Sequence, residues 1–430
     1  MLKATLSSEE TVAQYRVREQ DWTRERCLSF EKVATLILRG HKLPQQGALN
    51  RFYQDLGAVE AVPTASAYCQ ARQKLQPALF VHLNEQVVAG FYGLYEAEGE
   101  VRRWRGHRVV GIDGSVLNLP DTQETRAHYS VQANQHASGS RVQALSSVCY
   151  DLLNDIGLSA ALSKKQAEKE LMFAQHLAAT APGDVVVLDR GYADYAVMAF
   201  WRHHGREFVV RLPRGGFTAV QAFWASGAQE QVVSLTVPRK QKRFVTAHGL
   251  PRTLQVRLVR VALEGGEVEV LGTSLLDAQT YPGAEFKQVY GWRWGVETYH
   301  DRIKNIFEVE RFSGQSVCSI EQDFYGVMFL ATLEGVLSKR AEAELVAESA
   351  AAGCKYEPQV NHAVSYLALV DHTVALLLDP HCSVEQTLAD LHQLFKTNPS
   401  LRRPGRKAPR TKGSANRQLW FHRYTKRLLA

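Results

Sequence analysis

The chain runs to 430 residues, 45% apolar and 22% charged, enough for a sizeable core in two or three domains. Its longest apolar stretch, FYGVMFLATLEGVL, is too short and too acidic to span a bilayer. The opening MLKATLSSEE lacks the apolar run of a signal peptide, and six scattered cysteines without a CxxC pair argue against a zinc site or disulfide framework and for a reducing, cytoplasmic setting.

In chain order, the first hundred residues read as helices. SSEETVAQYRVREQ opens with capping serines, and SFEKVATLILRG stops on a glycine. ALNRFYQDLG, a short turn through AVEAVP, and TASAYCQARQKL give helix, turn, helix, with Thr64 as N-cap. The second helix displays Arg72 and Lys74, either as a DNA-reading face or as plain helical packing. EAEGEVRRWRGHR reads as a linker. Then the pattern turns to β: RVVGID and SVLNLP as two strands joined at Gly114-Ser115, VQALSSVCYDLL as a third. A helix over KKQAEKELMFAQHLAAT, the continuous apolar strand DVVVLD, a helix over DYAVMAFWRHHG and the strand REFVVRLP complete an α/β order. Alternating segments between about 214 and 284 read as a β-rich insertion. A charged helix, YGWRWGVETYHDRIK, follows, and a helical C-terminal region begins at SIEQDF.

The net charge of +7 sits at one end: from Lys396 onward there are eleven basic residues and no acid, leaving 40 basic against 44 acidic residues elsewhere. Trp420, Phe421 and Tyr424 interleave this run. Arg402, Arg403, Arg406, Lys407 and Arg410 are therefore expected to contact a polyanion, the alternative being a solvated tail.

Asp113 ends one apolar strand and Asp189 another, each just before or near a glycine, where open α/β sheets gather ligands. Singly, an Asp-Gly is a turn former; two on neighbouring strands point to a metal site. Hard divalent ions take carboxylate oxygens, and a pair of them serves phosphoryl transfer by activating the attacking oxygen and stabilising the leaving one. A third acid is needed. Glu297 suits, with Asp301 its nearest rival, as Asp194 is of Asp189. At about 100° per residue, Tyr290, Arg293, Glu297 and Lys304 share one narrow stripe of a helix.

GIDGSVLNLPDT, VVLDRGYADY and the spacing Tyr290-x2-Arg293-x3-Glu297-x6-Lys304 resemble the three catalytic blocks of DDE transposases of the insertion sequence 4 family, over most of residues 60 to 310. The resemblance implies an α/β fold with an RNase H-like catalytic core, a β insertion before the glutamate helix, and flanking helical regions. It implies Asp113, Asp189 and Glu297 as ligands of two Mg²⁺ ions, with Mn²⁺ as a substitute. Tyr290, Arg293 and Lys304 become DNA contacts, the partner is double-stranded DNA (terminal inverted repeats and target), and a homodimer on DNA is expected. The expected organisation is a helical DNA-binding domain over 1–105, the catalytic domain over 106–313, a helical region over 314–395 and the basic tail over 396–430. A tryptophan of the insertion can stack on a flipped base in this family; Trp224 lies within this insertion, as a base stacker or as insertion core.

Other readings are a domesticated DNA-binding protein that no longer cleaves and a simple nuclease on the same fold. His203, His204 and His300 have no partner spacing for a metal and are expected at the hydrated surface. No P-loop lysine pattern and no Gly-x-Ser-x-Gly elbow is present.

Overall fold

A computed structural model describes residues 1–402 apart from 25, 41–43, 134–139, 165–171 and 264–265. The most apolar run, Val185–Leu188, is wholly buried and lies at the middle of a nine-stranded sheet. The strands are Val109–Asn118 (β1), Ser130–Ala133 (β2), Ser140–Asp151 (β3), Ile156–Ser163 (β4), Val185–Leu188 (β5), Glu207–Arg211 (β6), Glu230–Thr236 (β7), Thr253–Ala262 (β8) and Val268–Thr273 (β9). β1, β3 and β4 form an antiparallel meander, and β5 and β6 add in parallel on the other side of β1. The resulting order β4-β3-β1-β5-β6 is an RNase H-like core, with β2 pairing the far end of β3.

Two expectations change here. The two strands expected around Gly114-Ser115 are one strand, because β3 pairs with β1 without a break from Val110 to Asn118. β4 was not singled out by its sequence, IGLSAALS, whose small residues suit a close approach rather than an apolar stripe. At Gly157 an added Cβ would lie 2.8 Å from the Tyr299 hydroxyl and 2.9 Å from that of Thr332, so only glycine lets these elements pack. In the insertion, β9 pairs antiparallel with β6, and β8 and β7 follow. The inserted strands therefore prolong the core sheet, a placement the reading of a β-rich insertion left open.

The helical flanks are joined to each other. Phe30, Leu36, Leu49, Phe52 and Leu79 from the first hundred residues share one apolar cluster with Phe329, Leu330, Leu369, Leu391 and Phe395. The long helix Val317–Ala351 runs through it and also packs against β4. Thr64 caps the helix Ala65–Arg72 as expected, its side chain accepting from the Ala67 amide at 3.1 Å. The stretch expected to be a linker is packed: Trp104 is 8% exposed and its Nε1 donates to Glu285 at 2.8 Å.

Candidate active site

In the parallel pair β1–β5, Gly111 lies opposite Val187. Two residues further along stand Asp113 and Asp189, the latter still in extended conformation. Side chains alternate with a period of two, so both carboxylates leave the same face at the same level, on chains about 4.8 Å apart. The reason is local. A charge cannot sit within the apolar run of β5, so the first polar residue emerges at its end. Asp189 Oδ1 accepts from the Gly191 amide at 2.7 Å, capping the short turn Arg190–Tyr192.

The third acid comes from above. The segment expected as one helix is two, Phe286–Trp292 and Trp294–Asp301, parted at Arg293, followed by a π-helical turn over Arg302–Ile306. Arg293 itself keeps helical dihedrals (φ −50°, ψ −31°), so Tyr290, Arg293 and Glu297 stay on one side, and the π-helical turn changes the advance only before Lys304. Tyr290 (9% exposed) and Arg293 (7% exposed) go under. Glu297 stays at the edge, and Lys304 turns onto β1, its Nζ donating to Ser115 Oγ at 2.6 Å and to the Val116 carbonyl at 2.8 Å. Ser115 is on the same side of β1 as Asp113. His300 Nε2 donates to the Asp113 carbonyl oxygen at 3.2 Å. His300 and Lys304 thus lay the glutamate helix across the aspartate strand. Below it, Arg302 pairs with Asp155 at 3.1 Å and fixes the helix end to the β3–β4 turn.

Arg293 Nη1 donates to Glu297 Oε1 at 2.6 Å. Its guanidinium lies 5.6 Å from the Tyr290 ring and 5.1 Å from the Trp294 ring, and its buried Nε makes no hydrogen bond among the described residues. Burial pushes the Tyr290 hydroxyl above its ordinary range and the Lys304 ammonium below its own. Burial also raises the Asp113 carboxyl, to about 6, with the charges of Asp189 and Glu297 adding to the rise against the Gly114 amide and Arg293. The charges of Asp189 and Glu297 are therefore both felt at Asp113. Among the described residues no three His, Cys, Asp or Glu side chains converge as a ready-made metal cage; Glu297 is turned to Arg293 instead. The donor chemistry nevertheless fits a hard divalent cation, which prefers carboxylate oxygen and would offset both the burial and the neighbouring negative charges that hold Asp113 high.

The rival acids have other work. Asp194 caps the helix Tyr195–His203, accepting from the Ala196 amide at 2.9 Å. Asp301 accepts from Asn305 on its own helix.

Several expectations are corrected. Arg72 is 2% exposed: its Nε donates to Gln322 at 2.9 Å, Nη1 to Ser313 at 2.6 Å, and Nη2 to Asp323 at 3.0 Å. A guanidinium so enclosed reads no DNA; it ties the N-terminal helices to the long helix. Lys74 remains outside, its Nζ 4.0 Å from Asp21. His300 is 6% exposed rather than hydrated, and burial lowers it to about 4. The available signal was its spacing, three residues after Glu297 and four before Lys304. Trp224 is half-buried against the main core, with Arg214 and Arg260 at 5.6 and 5.3 Å from its ring. Arg402 is engaged with Glu342, Glu357 and Gln359. Arg403, Arg406, Lys407, Arg410 and the rest of the tail lie outside the described residues.

Residues 104–333 match the family model of the transposase DDE domain. An RNase H-like sheet carrying two aspartates and a glutamate in this order defines that class, and the chain belongs to it: it is a DNA transposase, an enzyme that cleaves DNA and transesterifies it. Within the class it falls in the insertion sequence 4 family. Over 321 residues it is 27% identical to transposase InsG for insertion sequence element IS4 of Escherichia coli (strain K12), spanning 72% of this chain and 70% of the relative. Among solved structures, the piggyBac transposase synaptic complex with hairpin DNA aligns with a TM-score of 0.44 at 10% identity, covering 96% of this chain and 87% of that one. The family binds DNA and uses divalent metal ions. Among the described residues no helix is long and apolar enough to cross a membrane.

Proposed function

We propose that this transposase moves its element by cut-and-paste, with Asp113, Asp189 and Glu297 holding two Mg²⁺ ions, replaceable by Mn²⁺. The observation that carries this reading is the common face and level of Asp113 and Asp189 beneath the glutamate helix. Ions bound there supply Lewis-acid activation of the attacking oxygen and charge neutralisation at the leaving one. The chain's own residues orient the strand. Glu297 would hold an ion only by giving up its hydrogen bond from Arg293, which would leave that guanidinium free to grip a phosphate in a forked geometry. Tyr290 offers one hydroxyl hydrogen bond beside it, and Lys304 keeps the helix seated on β1 while adding positive charge near the strand.

In this reading water opens the phosphodiester at the element's end, the freed 3′-hydroxyl attacks the opposite strand to close a hairpin, and the reopened end attacks target DNA. Residues 106–313 are the catalytic part, 1–105 the helical region that holds DNA with Lys74 among its contacts, 314–395 a helical C-terminal region, and 396–430 a polyanion-binding tail. Ends must be paired before cutting, so the working form is a homodimer on DNA, acting on the nucleoid in the cytoplasm.

The test is direct. The full chain with Mg²⁺ and linear DNA bearing its own element's ends should give a nick at the end, then a hairpin and a double-strand break, on a denaturing gel. Random degradation would overturn the reading. Tyr290→Phe, which removes one hydroxyl, should leave the nick and deplete the hairpin by about a hundredfold, the scale on which misplaced reacting groups lose rate. Equal loss of nick and hairpin together with a lower melting temperature would show that Tyr290 only packs.

A further inference from the structure

The β7–β8 ladder closes at Thr236 and Thr253, and the sixteen residues from 237 to 252 form its tip. An antiparallel hairpin needs only about two to five residues to turn. This tip instead folds into a 3₁₀ turn, Arg239–Gln241, and a short helix, Lys242–Ala247. Its base is shut by the Val237 amide donating to the Arg252 carbonyl at 3.0 Å.

The inner side is built like core. Val237, Val245 and Leu250 are buried in the same apolar cluster as Tyr195 and Phe200, and Phe244 packs against it. Gln241 clasps the start of the helix Tyr195–His203 twice: its Oε1 accepts from the Ala196 amide at 3.0 Å and its Nε2 donates to Asp194 Oδ2 at 2.9 Å. From the other end of the tip, the Pro251 carbonyl accepts from the Tyr195 hydroxyl at 2.9 Å. The tip is thus held rigidly at Asp194–Ala196, a few residues past Asp189.

The outer side is charged with one sign. Arg239, Lys240, Lys242, Arg243 and Arg252 are all exposed, and no Asp or Glu occurs from 237 to 253. Among the described residues none of the five has an ion-pair partner. An ordinary solvated surface mixes signs, because like charges crowded together repel; here the repulsion stands uncompensated in the free protein. Rigid seating and single-sign charge are together what a phosphate-binding surface requires: side chains held in register for a line of anions, with neutralisation deferred until that line arrives.

We propose that the outer face of the β7–β8 tip, carrying Arg239, Lys240, Lys242, Arg243 and Arg252, grips the backbone of duplex DNA without reading its sequence. The proposal rests on the transposase reading for the identity of the polyanion. Duplex DNA presents one charge per about 1.7 Å of axis, and phosphate contacts position a duplex while carrying no sequence information. Through the clasp at Asp194–Ala196, a duplex bound at the tip is held in fixed relation to Asp189.

The experiment measures the affinity of the full chain for a duplex of unrelated sequence across a series of salt concentrations. Lys240→Gln/Lys242→Gln/Arg243→Gln should flatten the slope of log K against log salt by roughly 2 to 3, at about 0.9 per phosphate contact. The melting temperature should stay unchanged, since all three side chains are exposed. The charge-preserving variant Lys240→Arg/Lys242→Arg/Arg243→Lys should restore the slope. An unchanged slope in the glutamine variant overturns the proposal, as does a larger loss for duplex RNA than for duplex DNA. Cutting of the element's own ends by the unaltered chain is scored separately: if those ends are cut while the slope stays put, the tip proposal falls and the transposase reading stands. If no end is cut and the slope still flattens, the transposase reading falls and the tip binds DNA for another reason.

Discussion

Asp113→Ala, Asp189→Ala and Glu297→Ala are each expected to abolish cleavage while changing affinity for the element's ends by no more than a few-fold. Each removes a hard oxygen ligand, and none of the three makes the phosphate contacts that dominate DNA affinity. The same variants should lose divalent-ion binding in the absence of DNA, measured by calorimetric titration of Mn²⁺. pH enters through Asp113. Its folded carboxyl stands at about 6, above its ordinary 3.8, so below pH 6 the metal-free site carries a proton that an incoming ion must displace. Ion affinity should therefore fall as pH drops through 6. With the ion removed the sign for folding is the reverse: the native state holds more protons than the unfolded chain between about 4 and 6, so Asp113 makes the metal-free protein less stable as pH rises through that window. Cleavage surviving in Glu297→Ala and lost in Asp301→Ala would transfer the third ligand to Asp301, against the present geometry.

Arg72→Ala is expected to cost about 3 kcal/mol of stability, the lower end of what breaking a buried ion pair costs. It strands the Gln322 carboxamide oxygen, while Asp323 keeps Ser313 as a donor, which is why the lower end applies. Denaturant unfolding followed by fluorescence measures the loss. DNA affinity per folded molecule should be unaltered. The opposite result, full stability with weakened DNA binding, would return Arg72 to a DNA-reading role.

Arg72 also shows where the sequence stops being legible. The turn and the Thr64 cap were readable because capping is a local hydrogen bond between near neighbours. Which side of the helix is covered was not, since the covering residues, Ser313, Gln322 and Asp323, lie some 250 positions away in the chain. The aspartates were legible for the opposite reason: an apolar run ending in an acid reports both the buried strand and its exit. The glutamate helix was legible as a motif and illegible as a shape, because the contacts that dock it on β1, from His300 and Lys304, join residues 187 and 189 positions apart. The inserted strands were visible by alternation, yet alternation does not name a strand's neighbour, and the pairing of β9 with β6 was hidden for that reason.

The cluster shared by the first hundred residues and the last helices has a consequence for synthesis. Phe30, Leu49 and Phe52 emerge from the ribosome long before Leu369, Leu391 and Phe395, which help to bury them. At ~5–20 residues per second, the delay is roughly 15–70 s. Throughout that interval the nascent N-terminal helices carry an uncovered apolar face, open to chaperones or to another chain. The same face would be left bare in any fragment cut before the final helices, so a trimmed catalytic piece should be sticky where the whole protein is not.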